Sequence, residues 1–281
     1  MKYIGAHISK KGTLIDTIKH LHSNEGNAIQ IFASSPMNST IPDIEKIKSE
    51  SKEIIKYCDA NNIKIVVHGS YVINLASDNI NKRYVEIKDR WWIKLLLKEL
   101  DACELLKGVG VVIHVGKHTI NTPEKGLEIM FEAIKYIISY LQSNKYNSKL
   151  FIETPAGVGT ELLTTAETFI KFYNRFNKTD KKYLGICLDT AHIWSSGNDL
   201  IQYYNTFNDI YNDIGVIHFN NSKVEKGSLI DRHEFIFSGK INTKCLELFL
   251  NNLKSNSIII LEKPSTDLLN EDIKFIKNNF N

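Results

Sequence analysis

Long apolar runs are missing from this chain. No stretch approaches the ~18 residues that a membrane-spanning helix requires, and Met1 to His7 pass directly into strand-like sequence without a leader pattern. Neither export nor membrane anchoring is expected. Cysteine is scarce and scattered: Cys58, Cys103, Cys187 and Cys245 form no Cys-x-x-Cys pair, which argues against a thiolate zinc site or a disulfide framework. Each lies in an apolar stretch that reads as buried, in keeping with an intracellular, reducing compartment. A surplus of one charge is also lacking. With 35 Lys and Arg against 32 Asp and Glu, the formal charge of +3 permits nucleic-acid binding without arguing for it. There is no Gly-x-Gly-x-x-Gly, no Walker A loop, no solenoid repeat and no Pro-, Gly- or Ser-rich linker. No organic cofactor is implied, and residues 1–281 read as a single domain.

What is present is alternation. Short β-rich runs, Tyr3 to Ala6, Ala28 to Phe32, Lys64 to Val67, Val111 to Ile113, Leu150 to Ile152, Leu184 to Leu188, Val216 to Ile217 and Ile258 to Leu261, are separated by helical patterns. Trp92, Leu96, Leu100, Cys103 and Leu106 show the helical spacing, and Gly108 then ends the helix before the next strand. Eight strands joined by helical crossovers imply a parallel sheet closed into an α/β (β/α)8 TIM barrel.

In such a barrel the reactive side chains come from the carboxyl ends of the strands. Strands three to eight end at His68, His114, Glu153, Asp189, His218 and Glu262. One such residue is ordinarily a hydrogen-bonded polar group near the barrel mouth. With six of them converging on one axis, the buried carboxylates would repel one another or take up protons unless cations lay between them. Asp189-Thr-Ala-His192 and Asp231-Arg-His233 extend the set to five histidines and four acids with no cysteine, a composition suited to zinc or manganese at open sites. At four or five donors per ion, with water and one shared carboxylate, nine ligands point to about three metal ions.

With these motifs in hand, the chain resembles the endonuclease IV family. The similarity runs through Gly5-Ala-His-Ile-Ser9, His68-Gly-Ser-Tyr-Val-Ile-Asn-Leu75, Ile113-His-Val-Gly-Lys-His118, Ile152-Glu-Thr-Pro-Ala-Gly157, Cys187-Leu-Asp-Thr-Ala-His192, His218-Phe-Asn-Asn221, Asp231-Arg-His233 and Leu261-Glu-Lys-Pro264. The resemblance implies zinc held by His68, His114 and Glu153, a second ion held by Glu153, Asp189, His218 and Glu262, and a third held by His192, Asp231 and His233. Manganese is an alternative at one position. It further implies catalytic roles for Glu153 and Glu262, hydrolysis of the phosphodiester 5′ to abasic sites in double-stranded DNA to leave a 3′ hydroxyl, and removal of blocked 3′ ends. A monomer is expected. Departures from the family pattern are Gly69 for Asp, Val115 for Pro, Asn221 for Asp and Lys263 for Thr. The loop Ala33 to Ser39 lacks the Arg that enters DNA in the bacterial pattern.

Tyr71 and Val72 resemble the family residues that fill the gap left by an extruded sugar, and Lys117, Lys223, Lys226 and Arg232 read as phosphate anchors or as plain surface cations. Gly157, Gly159 and Ser195 to Gly197 offer backbone amides to phosphate or serve as turns. His7 and His118 read as partners of the site, His20 and His22 as surface residues, and Trp91 and Trp92 as packing. Two other functions remain open on this reading: a metal-dependent sugar isomerase or epimerase, and a module that binds lesions without cutting them.

Overall fold

The computed structural model describes residues 2–9, 12–80, 83–254, 256–263, 265 and 267–280. Eight strands, β1 (Ile4–His7), β2 (Ala28–Phe32), β3 (Lys64–His68), β4 (Gly110–His114), β5 (Lys149–Glu153), β6 (Leu184–Asp189), β7 (Ile214–His218) and β8 (Ile258–Leu261), pair in parallel with their sequence neighbours and close on themselves between β1 and β8. The (β/α)8 barrel expected from the alternation is the fold found. Around it run α1 (Leu14–Ser23), α2 (Ile44–Asn61), α3 (Trp91–Leu105), α4 (Pro123–Ser143), α5 (Ala166–Tyr173), α6 (Thr190–Ser195), α7 (Leu200–Thr206), α8 (Thr243–Asn252) and α9 (Leu269–Asn279). Among the described residues no helix is long and apolar enough to cross a membrane.

The helices start where local chemistry supplies a cap. Thr13 and Asp16 form a capping box at α1, Asp43 accepts from the Lys46 amide at α2, and Thr122 precedes Pro123, the first residue of α4. Trp92 is buried in α3 as packing, whereas Trp91 is partly exposed. Two small hairpins, Asn79–Ile80 with Arg83–Tyr84 and Asn221–Ser222 with His233–Glu234, were not anticipated from the sequence; their strands are only two residues long and carry no alternating pattern. Cys245 is exposed on α8, contrary to expectation, while Cys58, Cys103 and Cys187 are buried; all four are free.

The barrel interior explains where the polar side chains go. Ala28, Val66, Val112, Phe151, Cys187, Val216, Ile258 and Ile260 form a separate buried cluster that plugs the centre. A Cβ on Gly110 or Gly185 would come within 2.5 Å of the Phe151 ring, so glycine on the flanking strands makes room for the largest of these side chains. Strand side chains alternate, so the residue two positions on from each plug residue faces the same interior one layer higher. From Ala28, Val66, Val112, Phe151, Cys187, Val216 and Ile260 that step leads to Gln30, His68, His114, Glu153, Asp189, His218 and Glu262.

Candidate metal centre

Strand register puts these residues level with one another. His114 is paired with Glu153 across β4 and β5, and Asp189 with His218 across β6 and β7. Glu262 follows β8 directly, and His7 closes β1. Asp189 also caps α6: one oxygen accepts from the His192 amide at 2.8 Å, which fixes His192 one turn further on and accounts for the Asp-x-x-His spacing. Asp231 and His233 come from the long excursion after β7, where His233 lies in the second small hairpin.

All nine ligand-type residues meet at this end of the barrel, with Glu153 as the hub. Its carboxylate lies 2.7 Å from His218 Nδ1, 3.3 Å from His114 Nε2, 3.5 Å from His192 Nδ1 and 3.6 Å from His68 Nε2. Asp231 Oδ1 lies 3.3 Å from His192 Nε2 and 3.2 Å from His233 Nε2. Glu262 Oε2 is 3.1 Å from His218 Nδ1. Among the described residues three groups have ligand atoms close enough together to share an ion: His68, Glu153 and His218; Glu153, Asp189, His218 and Glu262; and Asp189, His192 and His233. The second matches the set implied by the resemblance. The first has His218 in place of His114, and the third has Asp189 in place of Asp231.

Most of the histidines are oriented by one nitrogen and present the other. His68 Nδ1 lies 2.7 Å from the Gly69 carbonyl, His192 Nδ1 2.9 Å from the Thr154 carbonyl and His233 Nδ1 3.1 Å from the Glu262 carbonyl. A carbonyl can only accept, so each Nδ1 carries a hydrogen and each Nε2 is free to be a ligand. His218 is turned the other way, with Nε2 against Gln30 Oε1 at 2.8 Å and Nδ1 facing the carboxylates. Glu153 Oε2, His192 Nε2 and His233 Nε2 are buried without a hydrogen-bond partner. Buried polar atoms are rarely left this way, and nitrogen and oxygen donors unpaired around several acids fit divalent cations.

The electrostatics agree. Burial disfavours ionised Glu153, but His218, His114 and His192 outweigh it and hold the carboxyl well below its usual range. Glu262 behaves likewise beside His218, His7 and His68. Burial also opposes the charged forms of His192 and His218, yet Asp189, Asp231 and Glu153 raise the first, and Cys187, Glu262 and Glu153 the second, well above an ordinary imidazole. Asp189 is pushed up by burial. In the absence of cations, protons on His192 and His218 balance the acids. Cys187, beneath His218, is held as a thiol, its pKa pushed up to about 12 by burial.

Two residues that bind the centre together escaped the sequence reading. Gln30, fully buried, donates to Glu262 Oε1 at 2.6 Å while its oxygen meets His218. Asn220 donates to Asp189 Oδ2 at 2.7 Å, and its oxygen accepts from the Glu262 amide at 2.7 Å. The period-two step along β2 would have found Gln30; Asn220 stands inside the His218-Phe-Asn-Asn221 segment, but its bonds to Asp189 and Glu262 depend on residues far apart in the chain. His7 touches Gln30 at 3.0 Å and Glu262 at 3.5 Å, placing it as a partner of Glu262. His118 is tied to the Asn121 carbonyl, and His22 is not simply a surface group, because it bonds Tyr57 of α2 at 2.9 Å.

The departures from the family pattern have local explanations. Asn221 donates to the Ile236 and Ile241 carbonyls and accepts from the Ser222 and Ile241 amides, a double role that Asp could not fill. Lys263 is buried against Asp272 at 2.7 Å. Pro264 lies outside the described residues. A Cβ on Gly69 would meet Ile113 at 2.9 Å, and Val115 is core.

Beside the centre, Phe32, Tyr71, Lys223, Arg232, Lys263, Ser9, His7, His233 and Glu262 line a cleft of about 430 Å³. Tyr71 is half exposed, with its ring 5.3 Å from that of His68 and 5.5 Å from that of His114. Val72 is partly buried against the core. Lys223 and Arg232 are exposed and carry no salt bridge among the described residues, whereas Lys117 lies 3.5 Å from Glu161. The Glu161 carboxylate also accepts from the amides of Gly157 and Val158, so that amide pair is already engaged. Ser195 to Gly197 form the carboxyl end of α6: the Ser196 and Gly197 amides bond the His192 and Trp194 carbonyls, a turn role.

Residues 18–279 match the family described as xylose isomerase-like TIM barrel. A probable endonuclease 4 of Sulfurihydrogenibium sp. is 31% identical, with 99% of each chain aligned. Among solved structures, endonuclease IV from Thermus thermophilus superposes with a TM-score of 0.73 at 22% identity, covering 98% of both chains. A D-tagatose 3-epimerase-like protein superposes with a TM-score of 0.71 at 19% identity, covering 99% of both. At those identities the two structures speak only for the fold.

Proposed function

Because the chain belongs to the endonuclease IV family of xylose isomerase-like TIM barrels, we propose that it is a metal-dependent endonuclease of base excision repair that hydrolyses the phosphodiester 5′ to abasic sites and leaves a 3′ hydroxyl. The same site would clear 3′ phosphates and other blocked 3′ ends. The observation that carries this reading is the trio of buried ligand-type atoms that make no hydrogen bond, Glu153 Oε2, His192 Nε2 and His233 Nε2, each within about 3.3 Å of an opposite ligand group. His68, His114 and Glu153 would hold one zinc ion, Glu153, Asp189, His218 and Glu262 a second, and His192, Asp231 and His233 a third, with manganese an alternative at one position.

When bound, such ions lower the pKa of water to about 7 and neutralise the phosphate oxygens. The chain's own residues do the rest. Glu262, fixed by Gln30 and Asn220, orients the attacking water, and Glu153 keeps the surrounding imidazoles in place. An abasic sugar is extruded at low cost because no base pair is broken, and Tyr71, with the partly buried Val72 behind it, fills the space it leaves. Lys223 and Arg232 meet the DNA backbone at the cleft, and Lys117 contributes less because Glu161 neutralises it.

An epimerase shares the barrel, but it has no use for a third ligand set of His192, Asp231 and His233 or for an aromatic ring exposed at the rim. A lesion-binding module would have no need of a hub carboxylate. The test is a labelled duplex with one abasic analogue, incubated with and without chelator and with Glu262→Gln. Chelator-sensitive nicking 5′ to the lesion, lost in the variant, supports the nuclease. Stoichiometric metal without nicking overturns it.

A further inference from the structure

Glu99 of α3 is a fully buried carboxylate with no ion pair among the described residues, and the metal centre does not use it. Its hydrogen bonds reach two loops. Ser34 Oγ, in the loop after β2, donates to Glu99 Oε1 at 2.6 Å, and the Ser70 amide, just past β3, donates to the same oxygen at 3.1 Å. The loops are stitched to each other as well: Ser70 Oγ donates to the Ser35 and Pro36 carbonyls at 3.1 and 3.0 Å, and the Tyr71 amide donates to the Pro36 carbonyl at 2.9 Å. Two apolar side chains stand out from this knot, Tyr71 at 50% and Met37 at 72% exposure.

A group meant only to stabilise the barrel would be better apolar at this position. Burial pushes the Glu99 carboxyl up to about 7, and its hydrogen bonds to Ser34 and Ser70 only partly offset that cost. What the carboxylate achieves is geometric. It ties, from a rigid helix, the thinly packed loop after β2, exposed from Met37 to Thr40, to the loop after β3, whose Ile73, Leu75 and Ala76 are seated in the core, and it does so next to the rings of His68 and His114 beside which Tyr71 stands.

We propose that Glu99 is a positioning residue that locks the loops after β2 and β3 into one ledge, which presents Tyr71 and Met37 to DNA beside the metal centre. The inference rests on the nuclease reading for its DNA substrate and on hydrogen-bond geometry alone for the ledge. The experiment compares the full-length, metal-loaded protein with Glu99→Ala, Glu99→Gln and Ser34→Ala. Glutamine keeps an acceptor of the same length, so it should restore what alanine loses. In Glu99→Ala, amide hydrogen exchange at Ser70 and Tyr71 should quicken about tenfold or more. KM for an abasic duplex should rise about tenfold while kcat and metal content stay within about twofold. Ser34→Ala, which removes one bond without emptying the core, should move both readouts in the same direction by about threefold. Unchanged exchange at Ser70 and Tyr71 in both alanine variants overturns the proposal, as does a fall in kcat and metal content with KM unchanged. If the parent protein nicks nothing, the nuclease reading fails and the exchange result still decides the ledge.

Discussion

The metal centre and the ledge beside it are built on opposite plans. Six of the nine ligand-type residues end or directly follow a barrel strand, and their positions are set by strand register and the period-two alternation. Tyr71 and Met37 sit on loops held by a few hydrogen bonds to Ser34, Ser70 and Glu99. The first plan gives chemistry that tolerates little change, and the second gives recognition that can drift while the chemistry stays. This chain is consistent with that split: the nine ligand-type residues meet at the end of the barrel, while the loop from Ala33 to Ser39 has no Arg and exposes Met37.

The largest effect should come from the hub. Glu153→Ala removes the carboxylate shared by His68, His114, His192 and His218, and is expected to lower kcat/KM for an abasic duplex about a thousandfold or more. At least one equivalent of metal should be lost in elemental analysis, with the far-UV circular dichroism unchanged. Full metal content with retained nicking would mean that the centre is as tolerant as the ledge.

The next effect is on pH. His192 and His218 are raised well above an ordinary imidazole in the metal-free protein, so a cation must displace their protons. Metal affinity should climb with pH by about tenfold per unit for each proton released, measurable by calorimetry in buffers of differing ionisation enthalpy. The same shifts give the sign of a stability change. A raised imidazole stabilises the fold below its unfolded value of about 6.5, and that contribution disappears as pH rises through the folded value. The melting temperature of chelated protein should therefore fall from about pH 6 to 9, while metal-loaded protein holds steady. The depressed acids Glu153 and Glu262 act at the other end, stabilising above their unfolded values and losing that effect only in strong acid. A chelated protein that melts identically across the range would contradict the proton-balanced centre.

On the ledge, losses should be smaller and of another kind. Tyr71→Ala is expected to raise KM about tenfold and Met37→Ala about threefold, with metal content untouched, because each removes contact area with DNA and not a ligand. A fall in metal content on removing Tyr71, whose ring touches those of His68 and His114, would erase the distinction between the two regions.

The contrast also explains what could be read in the sequence. The barrel and the strand-end residues were legible because β-periodicity and strand ends are local patterns, and the fold projects them onto one axis. Gln30 was legible in principle by the same two-residue step, but its amide looks like any strand polar group. Asn220, Glu99 and the pairing of Lys117 with Glu161 were not, since each depends on a contact between segments far apart in the chain. Cys245 was misjudged because it adjoins Leu246 in an amphipathic helix whose buried side, Leu246, Phe249 and Leu250, is hard to fix from spacing alone in so short a segment.

The smallest expected effect separates cations that look alike in the sequence. Lys223 and Arg232 are exposed at the cleft, so each can release counterions when it meets a phosphate. Replacing either with alanine should weaken binding of the abasic duplex and flatten the plot of log affinity against log salt by about 0.9. Lys117 faces Glu161 at 3.5 Å, and its alanine variant should leave that slope unchanged within about 0.3 while shifting affinity less than about twofold. A full slope change at Lys117 would mean that DNA draws the lysine away from Glu161, whose other oxygen still holds the Gly157 and Val158 amides. The salt dependence thus reads how many of the cations at the rim are committed to the protein and how many to the substrate.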